Sequence, residues 1–106
     1  MADVRLAQPA AGASWGAVLE RMRENLELED LEVGEVLETS DGATGRILEA
    51  AANLLRFTWQ EPSWPAPSTV ALRLDGGALR VEHTTIPDAA TAWYLSFWQD
   101  ELAFLA

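Results

Sequence analysis

Residues 68–106 read STVALRLDGGALRVEHTTIPDAATAWYLSFWQDELAFLA, and this stretch decides the fold. Ser68 to Leu74 alternates, with Val70, Leu72 and Leu74 on one face and Ala71 and Arg73 on the other, the pattern of a half-buried strand. Asp75-Gly76-Gly77 follows, and glycine supplies the positive φ of the primed turns that join antiparallel strands. Ala78 to Ile86 returns as the partner strand. Leu79, Val81, His83 and Thr85 share one of its faces, Arg80, Glu82 and Thr84 the other. Pro87-Asp88 opens a helix predicted to run to about Leu105. Asp88 either caps it or places its charge at the positive end of the helix dipole. At about 100° per residue, Trp93, Tyr94, Phe97, Trp98, Leu102, Phe104 and Leu105 fill slightly over half of this helix's circumference. A helix so apolar must lie on a sheet or on another chain. Glu101 falls inside the apolar arc.

Upstream, Glu61 to Pro67 holds three prolines and Trp64. Proline donates nothing to a ladder, so this is a loop, with Trp64 expected to be the most exposed tryptophan. Leu54 to Gln60 and Thr44 to Ala50 read as two further strands linked by Ala51-Ala52-Asn53, and Ser40-Asp41-Gly42 is a turn. Glu27 to Glu38 mixes the helical and strand periods. Leu31-Glu32-Val33 suits a half-buried strand, and Val36-Leu37 breaks the alternation as at a bulge. Ser14 is a predicted N-cap for a helix to about Asn25, with Trp15, Val18, Leu19, Met22 and Leu26 at helical spacing. Val4 to Ala7 suits an edge strand. The order predicts an α+β fold: a curved antiparallel sheet with a long C-terminal helix packed across it, and one shorter N-terminal helix. Residues 1–106 fit a single domain.

Composition narrows the function. The net charge is −10, from seven arginines, no lysine and seventeen carboxylates. A phosphate backbone needs a basic footprint that this chain lacks, so nucleic acid is not an expected partner. The same charge disfavours anionic membrane surfaces, and no apolar stretch approaches the roughly 20 residues that span a bilayer. Without cysteine there is no disulfide, thiolate nucleophile or zinc–thiolate site, and the chain is expected to be cytoplasmic. Eight acids between Glu20 and Glu38 lack the spacing of an EF-hand loop and read as a solvated face. Gly42-Ala43-Thr44-Gly45 lacks the lysine of a P-loop, and no G-x-S-x-G occurs. No metal, cofactor or catalytic residue is assigned.

Several blocks taken together resemble a known family. Leu55-Arg56-Phe57-Thr58-Trp59, then Pro62, Trp64 and Ser68-Thr69-Val70, look like the signature strand, loop and strand of the Hsp90 ATPase activator homologue family. That family belongs to the START-like (SRPBCC, Bet v 1-like) helix-grip superfamily. Leu79-Arg80-Val81-Glu82-His83 resembles its penultimate block, and Tyr94, Trp98, Leu102 and Leu105 its final helix. Gly42, Gly45 and Arg46 fit the preceding hairpin, and Pro9, Trp15, Ala17 and Leu19 are similar to its opening. The chain is shorter than the usual family domain between that opening and Val33. The resemblance implies a hydrophobic pocket between the sheet and the final helix. The expected function is non-catalytic binding of an apolar or aromatic small molecule. The alternatives are a protein-interaction module (a homodimer or a chaperone-linked domain) and a cyclase- or hydrolase-like enzyme.

The candidate ligand-binding residues are Phe57, Trp59, His83, Trp93, Phe97 and Glu101. His83, the lone histidine, reads either as a polar handle in the pocket or as a satisfied core residue. Glu101 reads either as a pocket acid facing His83 or Arg56, or as a carboxylate reaching water near the helix end. An enzyme would need His83 and Glu101 within hydrogen-bond reach of each other or of one shared water.

Overall fold

The computed structural model describes residues 1–10, 12 and 14–103. Six antiparallel strands form one curved sheet in the order β1-β6-β5-β4-β3-β2. The strands are β1 (Ala2–Pro9), β2 (Val36–Glu38), β3 (Thr44–Ala51), β4 (Leu54–Trp59), β5 (Ser68–Asp75) and β6 (Ala78–Ile86). The helix α1 (Trp15–Leu26) joins β1 to β2, and α2 (Thr91–Leu102) follows a single 3₁₀ turn, Asp88–Ala90. The sheet does not close into a barrel, because β1 and β2 occupy opposite edges.

The β5–β6 hairpin pairs as the alternation requires, from Thr69 opposite Thr84 to Asp75 opposite Ala78, around Gly76 and Gly77 at positive φ. Its inner face carries Val70, Leu72, Leu79, Val81 and His83, all buried. Burying such an aliphatic side chain stabilises the fold by about 1.5–3 kcal/mol. Thr85 does not continue this face. It sits at φ 63°, where the β1–β6 register shifts between Ala2 and Val4. A β-branched residue at positive φ marks a bulge, which bends the strand and turns the next residue over. Ile86 is accordingly fully buried while Thr85 is exposed. A second register shift, between Ile47 and Glu49 on β3, adds curvature at the other side of the sheet. At Gly45 the backbones of β3 and β4 approach so closely that a Cβ there would overlap the Thr58 carbonyl.

Ser14 caps α1 by accepting from the Ala17 N–H at 3.1 Å, and Val18, Met22 and Leu26 form its buried stripe. The helix ends with Glu27 at φ 55°, where Leu28 N–H donates to Arg23 O and Glu27 N–H to Glu24 O. This is the Schellman arrangement, with glutamate where glycine is usual. The helix α2 packs on β1 and β6 through Tyr94, Trp98 and Leu102.

Three further expectations need correction. Leu31 to Val33 is not a strand; Leu31 tucks into the core and Val33 is exposed. The strand is Val36–Glu38, preceded by ladder-like bonds in which Gly34 N–H donates to Ile47 O and Ile47 N–H to Glu35 O. Asp88 does not cap α2. The 3₁₀ turn places it one turn upstream, where it pairs with the N-terminal amine at 3.2 Å, and the cap position is Ala90. Trp64 is half-buried, and Trp93 is the exposed tryptophan at 61%. The helix is described only as far as Leu102; the expectations for Phe104 and Leu105 fall outside the described residues.

Candidate functional site

The helix α2 packs chiefly on β1 and β6 and leaves room between itself and β4 and β5. The space left beneath it is a cavity of about 320 Å³. Phe57, Val70 and His83 form its floor, and Trp93, Tyr94, Phe97 and Trp98 its roof. The C-terminal turn of α1 closes one end with Met22, Asn25, Leu26 and Glu27. Thr39, Asp41 and Ala43 of the β2–β3 turn, with Trp59 and Glu61, complete the rim. The volume lies at the small end of the roughly 300–1,000 Å³ usual for small-molecule sites.

His83 is fully buried in the floor, and both ring nitrogens are engaged. Ser68 Oγ lies 2.6 Å from the Trp59 carbonyl, to which it donates, and 2.8 Å from His83 Nε2. Its one proton is thus spent, so it accepts from Nε2–H. On the other side of the ring, Trp98 Nε1 donates to Nδ1 at 3.1 Å. An indole N–H cannot accept, so Nδ1 carries no proton. These two bonds define the neutral Nε2–H tautomer. Burial pushes the His83 pKa down from 6.5 to about 4, which keeps the ring uncharged at neutral pH. Tyr94 and Trp98 meet it edge-on, at centroid distances of 4.7 and 6.1 Å.

A second polar group fixes the roof to the β4–β5 loop. Glu61 Oε1 accepts from the Tyr94 hydroxyl at 2.7 Å and from Trp59 Nε1 at 3.1 Å, and Trp59 Nε1 also reaches Tyr94 Oη at 3.0 Å. Burial, followed by the bond to Glu61, raises the Tyr94 pKa, so its hydroxyl keeps its proton as a donor. Trp64 packs edge-on against Tyr94, and Trp93 stacks on Phe97 at 5.4 Å and 11°. The mouth therefore presents a stacked aromatic pair of which Trp93 is largely open to solvent.

Five of the six sequence-derived candidates, Phe57, Trp59, His83, Trp93 and Phe97, line this cavity; Glu101 does not. Its Oε2 accepts from Arg21 Nε and from Asn25 Nδ2, each at 2.9 Å, and so ties α2 to α1. The side-chain bond and charge of Glu101 in turn raise the Arg21 pKa. The reading of Glu101 as a pocket acid is corrected by this geometry: a carboxylate in an apolar arc found its counter-charge on a neighbouring helix instead of facing inward. Arg56 pairs with Glu49 at 2.7 Å. His83 and Glu101 thus bond to different partners and not to each other. Sequence reasoning missed Ser68, Glu61 and Tyr94 as site groups. Ser68 was legible in part, since it shares the β5 inner face with Val70 and Leu72. Nothing in the periodicity signals that Glu61 turns back onto Tyr94.

A curved antiparallel sheet gripping a C-terminal helix, with a hollow between them, defines the helix-grip class of α+β folds. Among solved structures, the chain is similar to DynU16, a protein from the dynemicin biosynthetic locus, with a TM-score of 0.59 and 18% identity over 98% of this chain. The alignment spans 45% of DynU16, so this chain corresponds to less than half of that protein's length. No protein-family model and no curated protein matches the sequence. Among the described residues no helix is long and apolar enough to cross a membrane.

Proposed function

We propose that this chain is a non-catalytic binding module that holds an apolar or aromatic small molecule between its sheet and α2. The observation that carries this reading is the roughly 320 Å³ cavity with aromatic walls. Binding there would remove apolar wall from water, which is favourable by about 25 cal/mol per Å² of apolar surface buried. Phe57, Trp59, Trp93 and Phe97 supply contact area. His83 serves as a rigid neutral part of the floor rather than a proton carrier. The sequence blocks similar to the Hsp90 activator homologues, and the fold shared with DynU16, support placing the chain among START-like domains.

Tryptophan fluorescence and thermal unfolding, measured against a panel of small aromatic compounds, test the reading. A bound compound raises Tm in proportion to the logarithm of its concentration. Phe97→Ala, which removes contact area from the half-buried roof, should weaken that response while the variant still unfolds cooperatively. No shift for any compound, or an undiminished shift in Phe97→Ala, rejects the proposal.

One observation favours a second reading, a homodimer closed over α2: Trp93 is 61% and Leu95 38% exposed. Light scattering decides it. A dimer that dissociates in Trp93→Ala would establish that reading, and a monomer at high concentration would remove it.

A further inference from the structure

We propose that the ligand of this cavity is an organic cation, an amine or quaternary ammonium group carried on an apolar body. The inference rests on the binding reading above and narrows it to a chemical class.

Three carboxylates, Glu27, Asp41 and Glu61, line the cavity. Among the described residues no arginine lines it, and the chain has no lysine. Ion pairs elsewhere engage Arg5, Arg21, Arg23 and Arg56 with carboxylates outside the cavity. The polar hydrogens of the aromatic and imidazole wall are also committed. Trp59 and Tyr94 donate to Glu61, Trp98 donates to His83, and His83 donates to Ser68. An anionic ligand would meet like charge with no counter-ion in the described wall, and burying a charge that way is strongly unfavourable.

A cation meets the reverse. Both bonds to Glu61 fall on Oε1, which fixes the carboxylate at the rim and turns neither bond to Oε2. Trp93 and Phe97 stack in parallel at the mouth, beside Tyr94. Aromatic faces attract ammonium groups, tryptophan most strongly, and the attraction grows as water is excluded. The net charge of −10 adds a long-range field of the same sign. Among the described residues no group of three or more acidic or histidine side chains is set to hold a metal ion. The carboxylates are spread around the rim, an arrangement that suits a bulky cation with an apolar body.

Calorimetric titration with three compounds of one ring system tests this: (2-naphthylmethyl)trimethylammonium, 2-naphthalenemethanol and 2-naphthoate. The ammonium compound should bind at least about tenfold more tightly than the alcohol, and the carboxylate most weakly. Glu61→Gln keeps an acceptor for Trp59 and Tyr94 but removes the charge. It should weaken the ammonium compound by about tenfold and leave the alcohol unchanged. Asp41→Asn, in the exposed turn, provides a second variant with the same expectation in smaller measure. Glu82→Gln removes the same unit of charge from the opposite face of the sheet and should change nothing. Alcohol binding as tightly as ammonium, or Glu82→Gln acting as strongly as Glu61→Gln, overturns the cation assignment while the binding module stands. Absence of binding by all three at millimolar concentration overturns both.

Discussion

Trp98 Nε1 and His83 Nδ1 form a one-way bond at 3.1 Å: the indole can only give a proton, and the imidazole nitrogen can only receive it. Protonating His83 would set two N–H groups against each other inside the core. The histidine face of β6 is therefore a structural joint between sheet and helix, and its titration is coupled to the fold.

The first prediction concerns pH. The folded-state pKa of His83, about 4, lies below the usual 6.5. Its neutral form therefore contributes stability that is fully present above pH 6.5 and is lost as pH falls toward 4. The loss amounts to about 3 kcal/mol at the acid end. His83→Gln keeps one donor and one acceptor but does not titrate. Urea unfolding at pH 7.5 and 4.5 should show the wild type losing stability relative to this variant; parallel losses would refute the coupling.

The second concerns the bond itself. Trp98→Phe leaves a buried acceptor unsatisfied and should cost about 1–3 kcal/mol beyond the lost packing. His83→Leu alone strands the Trp98 N–H, while the Ser68 hydroxyl keeps its bond to the Trp59 carbonyl. Because each single change leaves a partner unpaired, the double variant should cost less than the sum by about 0.5–3 kcal/mol. Strict additivity in chemical denaturation would show that the two side chains act independently.

The third separates the two helices from the cavity. Glu101→Gln weakens the tie to Arg21 and Asn25, and should lower stability by about 1 kcal/mol or less, since Arg21 is 40% exposed. Ligand affinity should stay within about twofold, because no lining atom is removed. A large affinity loss would return Glu101 to the binding site.

The fourth concerns the sheet. Gly45→Ala places a methyl group into the Thr58 carbonyl, and backbone cannot yield as a side-chain tip can. It should destabilise by about 2–3 kcal/mol, read as a lower urea midpoint. Gly12→Ala, where nothing lies within 4 Å, should cost less and only through its positive φ.

Much of the fold was legible because its rules are local. The alternation in Ser68 to Leu74, the Gly76-Gly77 turn and the Val18, Met22, Leu26 stripe each state their geometry over a few residues. Residues 27–38 were not legible, because Leu31 is buried by tertiary packing while Val33 and Val36 stay exposed, which inverts the expectation from hydrophobicity. Thr85 fits the strand pattern, and only the β1 register reveals its bulge. In the site, shared strand or helix faces brought Phe57, His83, Trp93 and Phe97 to one hollow. Glu101 departed from expectation because its partners sit 76 and 80 residues away in sequence.

The flanks of the sheet bear on behaviour in concentrated solution. On one side β2 offers only three residues, the last of them Glu38, with Glu35 just before them. On the other, β1 ends at Pro9, which has no N–H to give. Short, charged or proline-terminated borders are poor templates for strand-by-strand growth. Mutual repulsion between molecules of charge −10 acts in the same direction. The chain should accordingly resist fibril formation even though its interior strands are rich in valine and leucine.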